Sequence, residues 1–157
     1  IENELEKLSM ILGKGHQLSL DEVKQHIGLS KEYNVFELNN AIGSKNVLKA
    51  NRIINYFASN PKSTHLTVVI GSLNSYFSKL FIVADNLSQS DASLASLIGT
   101  PPFFVKDYKQ AAKHYSRAKI MQIFSVLEEY DLRSKGVGNK NVDNNELLTE
   151  LTFKILH

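Results

Sequence analysis

The sequence predicts an all-α fold, and three observations carry that reading. Apolar residues recur at spacings of three and four along almost the whole chain, the period that places side chains on one helix face. Serine, aspartate or asparagine precedes several of these stripes, where a side-chain oxygen can accept from an early backbone N–H. No region sustains the period-two alternation of a half-buried strand. Val68-Val69-Ile70 has strand composition, but it sits inside a long helical repeat.

Leu5, Leu8 and Leu12 form the first stripe, which Gly13 and Gly15 end. Ser19-Leu20-Asp21-Glu22 matches a capping box, followed by Val23, Ile27 and Leu29, with Gly28 as a stop. A third segment covers Val35-Phe36-Glu37-Leu38-Asn39-Asn40-Ala41-Ile42 and ends at Gly43. A fourth runs over 47–57, with Val47, Ala50, Ile54 and Phe57 inward. Asn60-Pro61 closes it, because proline disfavours a helical residue before it. The clearest pattern is Leu66, Val69, Leu73, Tyr76, Leu80, Val83 and Leu87. It predicts the longest and most central helix over 66–87, with Leu73 and Phe77 in the core.

A serine- and aspartate-rich loop is expected over 88–93, then a short helix over 94–98 and the turn Gly99-Thr100-Pro101-Pro102. A helix over 103–115 follows, with Phe103 and Phe104 expected in the core. Ser116 can cap the next helix, whose stripe is Ile120, Ile123, Leu127 and Tyr130. After a loop at 136–141, Asp143-Asn144-Asn145-Glu146 starts a last helix with Leu147, Leu151 and Ile155 inward. Six to eight helices and no sheet are expected.

Composition narrows the function classes. At 157 residues, with 43% hydrophobic and 22% charged, the chain is globular in profile. The absence of cysteine excludes a disulfide framework and thiolate metal sites, and it fits a reducing compartment. A net charge of +2 is too small to mark a nucleic-acid binder. The start, Ile1-Glu2-Asn3-Glu4-Leu5, has no basic leader or apolar signal core, and it reads as a segment of a larger protein. Ser72, Asn74, Ser75, Ser78 and Lys79 interrupt the most apolar stretch, which argues against a membrane span.

Catalytic patterns are lacking. No phosphate-cradling GxxxxGK[ST] loop or GxSxG elbow is present. Histidines 16, 26, 65, 114 and 157 form no metal-ligand spacing and read as solvated or capping residues. Glu128, Glu129 and Asp131 read as a solvated acidic face. No cofactor, metal ligand or catalytic residue is expected.

Two features point to binding. Ala95-Ser96-Leu97-Ile98-Gly99 with Val105 has the packing skeleton of a helix-turn-helix. A reader of DNA places Arg, Asn or Gln at the start of its second helix, whereas this one starts Pro102-Phe103-Phe104. The segment 94–115 is therefore either a structural corner or, alternatively, the reading head of a DNA-binding regulator. Lys106, Lys109 and Lys113 follow at helical spacing, with Arg117 and Lys119 beyond. They form either a solvated face or an electrostatic contact surface for DNA or an acidic partner.

Several pieces, in order, resemble the bacterial DNA polymerase III delta subunit, the clamp-loader delta family. They are Asn3-Glu4-Leu5-Glu6-Lys7-Leu8, Leu20-Asp21-Glu22-Val23 and Asn34 through Gly43 with Lys49-Ala50. Leu97-Ile98-Gly99, Phe103-Phe104-Val105-Lys106, Tyr115-Ser116 and Tyr130-Asp131-Leu132-Arg133-Ser134-Lys135-Gly136 complete the set.

The resemblance implies that residues 1–32 are the end of a small helical lid. Residues 33–157 are then the C-terminal helical collar, the oligomerisation domain. It implies a non-catalytic assembly module of a cytoplasmic DNA polymerase III clamp-loader complex in DNA replication. The partners implied are the gamma/tau-type and delta-prime-type loader subunits. The sliding clamp is reached only through an N-terminal AAA-type domain outside these residues. At most weak non-specific contact to DNA is implied, and no membrane.

Overall fold

The computed structural model describes residues 33–60, 63–138 and 143–157. The expected stripes at 5–12 and 23–29, and the capping box at 19–22, lie outside the described residues. Within them the chain forms seven α-helices, one 3-10 turn and no strand. In chain order the helices are α1 (Val35–Gly43), α2 (Val47–Ser59), α3 (Leu66–Asp85) and α4 (Asp91–Ile98). The 3-10 turn Pro102–Phe104 leads into α5 (Val105–Ala111), followed by α6 (Arg117–Ser134) and α7 (Asn144–Leu156).

The expected central helix is α3, at 20 residues the longest among the described ones. Leu66, Val69, Ile70, Leu73, Tyr76, Phe77, Leu80 and Val83 are buried. By length and composition alone α3 could cross a bilayer, with mean hydropathy 1.5. Here its buried face packs against α6 along its length, against α1 and α7, and against α4 and α5 at the corner they make. Val35–His157 forms one compact unit around this helix.

Leu87, expected on the stripe, is instead half exposed. The helix stops at Asn86, whose N–H turns back to the Val83 carbonyl and whose side-chain amide donates to the Ile82 carbonyl. Local hydrogen bonding thus ends a helix that apolar periodicity alone would continue.

Ser116 and Asp143 cap their helices as expected, and Asn46, which the periodicity does not single out, caps α2. The side chains of Asn46, Ser116 and Asp143 accept from the backbone N–H groups of Lys49, Lys119 and Asn145. One cap differs. Ser90 accepts from the Ser93 N–H, so α4 begins at Asp91, inside the expected loop.

Gly43, expected as a helix stop, is the last residue of α1, and the left-handed residue after it is Lys45, at φ 56°. Lys45 keeps that conformation with its ammonium group tied across the fold. Nζ donates to the Leu156 carbonyl at 2.6 Å, at the end of α7, and lies 4.5 Å from the Tyr115 ring centroid. Burial, with Lys119 nearby, lowers its pKa. The Tyr115 hydroxyl donates to the Ile42 carbonyl at 2.8 Å, tying the segment at Tyr115 to the end of α1 as well.

The inward stripes of α6 (Ile120, Ile123, Leu127, Tyr130) and α7 (Leu147, Leu151, Ile155) are buried as expected. On α2, Ala50, Ile54 and Phe57 are buried and Ile53 joins them, while Val47, expected inward, is 37% exposed at the helix start.

A candidate interaction surface

The corner between α4 and α5 is where the sequence placed its two binding features. Gly99 supplies the left-handed cap, at φ 59° and ψ 50°, a conformation in which any Cβ is strained. The Thr100 N–H then returns to the Ala95 carbonyl at 3.0 Å, closing the helix end. Leu94, Ala95, Ile98 and Val105 pack with Val83 in one buried cluster. The skeleton read as a helix-turn-helix is therefore a tight apolar corner set on α3.

Phe103 and Phe104 do not enter that core. They are 67% and 40% exposed, against the expectation from sequence. The cause is the Pro101-Pro102 pair. Proline fixes φ and lacks an N–H, so the chain makes a 3-10 turn over Pro102–Phe104 before α5 begins at Val105. The tighter turn rotates both phenylalanines outward, and Val105 alone points to the core. The two rings lie against each other, centroids 4.0 Å apart. Phe104 also borders a groove of about 420 Å3 shared with Tyr76, Lys79, Pro101 and Tyr108.

The three lysines are not one free stripe. Lys106 is exposed on α5. Lys109 reaches back across the corner, with Nζ 2.7 Å from an Asp91 carboxylate oxygen and 3.2 Å from the Gln89 carbonyl. Lys113 is exposed but lies past the end of α5, in the turn that follows Ala111. The helix expected over 103–115 is thus shorter at both ends. Arg117 pairs with Asp85 and lies over the Phe81 ring. Lys119 reaches the Lys154 carbonyl at 3.5 Å.

Two members of the acidic group on α6, Glu129 and Asp131, form ion pairs. Glu129 meets Arg133 and Lys154, and Asp131 meets Lys135. Among the described residues no three His, Asp or Glu side chains gather as a metal site. His114 and His157 are exposed, and His65 precedes α3 without a side-chain cap bond. His16 and His26 lie outside the described residues.

Changing Lys106, Lys109 and Lys113 together to glutamine is expected to leave folding nearly intact. Each exposed charge contributes at most about 1 kcal/mol, and the Lys109–Asp91 pair is the main loss. Any binding to duplex DNA should be indifferent to sequence and fade near physiological salt. Sequence-selective binding that survives such salt and is abolished by the triple change would make the corner a DNA reader.

The family model described as DNA polymerase III delta subunit, C-terminal domain, matches residues 32–153. Among solved structures, the chain is similar to the Bacillus subtilis DNA clamp loader delta protein, with a TM-score of 0.65 and 22% identity. That match covers 98% of this chain and 44% of the other, so the chain spans less than half of that protein's length. At this identity the likeness is one of fold. No curated protein matches.

Proposed function

The chain belongs to the family of DNA polymerase III delta subunits, matching their C-terminal domain, and on that premise we propose that it is an assembly module of the clamp loader. In this reading residues 33–157 are the collar, which holds the delta subunit at a fixed angle in the loader ring. Residues 1–32 end the helical lid. The module has no catalytic step of its own. Contact with the sliding clamp belongs to an AAA-type domain N-terminal to these residues in the whole subunit. The neighbours in the ring are gamma/tau-type and delta-prime-type subunits, and the complex works in the cytoplasm.

The observation that carries this reading is the family match across nearly all of the described unit. The surface supports it. Phe103, Phe104 and Leu97, which is 52% exposed, put apolar area at one corner of a well-packed helical unit. Apolar side chains gathered in this way mark contact with another protein. Lys106, exposed in the first turn of α5, can steer an acidic neighbour without reading bases. Changing Phe103 and Phe104 to glutamate tests the surface. The pair of changes should weaken binding to the loader subunits while the circular dichroism and melting temperature of the chain stay close to wild type.

A further inference from the structure

A second opening adjoins the groove at Phe104 and shares Glu37, Asn40, Tyr76 and Asp107 with it, where α1 and α5 face each other across a cleft of about 260 Å3. Its floor is Tyr76 of α3. That residue is only 7% exposed, yet its hydroxyl, which lies against Gly43, makes no hydrogen bond among the described residues. Burial, with Tyr108, Tyr115 and Asp107 nearby, holds the phenol well above its ordinary pKa, so it stays neutral and can accept as well as donate.

The walls carry acceptors. Asp107 of α5 is exposed to the cleft and forms no ion pair among the described residues. Glu37 of α1 faces the same space and is paired with Lys49, the one cation lining it among the described residues. The amide groups of Asn40 and Gln110 complete the lining. Lys79, in the adjoining groove, is engaged with the Thr100 hydroxyl at 3.0 Å.

The chemistry selects the occupant. An anion would meet two carboxylates, and an aliphatic group would strip water from acceptors without replacing its bonds. The volume is below the roughly 300–1,000 Å3 of sites for drug-sized ligands, which suits one side chain better than a cofactor. A guanidinium is planar, carries five donors, pairs with carboxylates and packs on aromatic rings. We infer that the α1–α5 cleft receives an arginine side chain from a neighbouring protein chain, its guanidinium set between Asp107 and the Tyr76 hydroxyl. This rests on the assembly-module reading, which makes that chain another loader subunit.

Two measurements test it. In an NMR titration of the whole chain, N-acetyl-arginine amide should shift the signals of Gly43, Tyr76 and Gln110, whereas the neutral citrulline analogue should not. Asp107→Asn should weaken that response, and binding to the purified loader subunits, by about tenfold or more, the scale of one hydrogen bond to a charged group. The variant should melt as the wild type does, because Asp107 forms no ion pair among the described residues. Absence of localised shifts overturns the inference. So does wild-type assembly that Asp107→Asn leaves unchanged, although the assembly-module reading then stands. A wild-type chain that ignores the loader subunits overturns that reading instead, and the titration still decides whether the cleft takes arginine.

Discussion

Phe77→Ala is expected to remove about 3–5 kcal/mol of folding stability, the range for deleting a fully buried phenylalanine. Phe77 is 0% exposed at the middle of α3. Its ring meets Tyr76 edge-on at 5.4 Å between centroids and Tyr115 at 5.3 Å, so truncation loses aromatic contacts as well as apolar burial. It also leaves a cavity where α3 carries the unit, and a neighbour anchored by its own bond cannot collapse into it. Tyr115 is fixed by the Ile42 carbonyl. Urea unfolding should show a lower midpoint at an unchanged slope. A loss under about half a kcal/mol would mean that this face of α3 is not the core.

Gly43→Ala is expected to destabilise the fold by about 1–3 kcal/mol, the cost of overpacking a well-filled site. In an open helix the same change would gain up to about 1 kcal/mol, so the sign is diagnostic. A Cβ at position 43 would overlap the Tyr76 hydroxyl and come 2.9 Å from its Cζ, with the Ala111 methyl at 3.4 Å. Tyr76 has little room to retreat, since it is 7% exposed and stacks on Tyr108 at 5.1 Å between centroids. Removing the hydroxyl should relieve most of the clash. The double change Gly43→Ala with Tyr76→Phe should therefore lose less than the two single changes added together. Strict additivity would show that α1 and α3 do not meet there.

The fold was legible in the sequence wherever periodicity and capping agreed. The stripes of α3, α6 and α7 face inward, and Ser116 and Asp143 cap as their positions suggest. The failures lie where local chemistry overrides period. Asn86 bonds back to its own helix and strands Leu87 outside. Pro101-Pro102 forces a 3-10 turn, and the two phenylalanines after it leave the core. Both departures have signals in the sequence, an asparagine at a candidate helix end and a double proline, and apolar counting outweighs them.

The surface was less legible. Lys106, Lys109 and Lys113 share a spacing, but α5 ends at Ala111 and Asp91 holds Lys109. That partner is 18 residues away in the chain, a tertiary pairing that periodicity cannot show. The same holds for the cleft at Tyr76. Its walls come from residues near 40 and near 107, and Gly43 shows in sequence only as a helix stop. The hydroxyl that makes glycine necessary there arrives with α3.

The most direct test of the assembly-module account is sedimentation velocity on the whole chain mixed with purified gamma/tau-type and delta-prime-type subunits from its own organism. A parallel run would contain the sliding clamp alone. The account predicts that the chain moves with the loader subunits in a faster, defined complex and sediments by itself beside the clamp. A chain that travels alone in the presence of the loader subunits, or that forms a tight complex with the clamp, would contradict it.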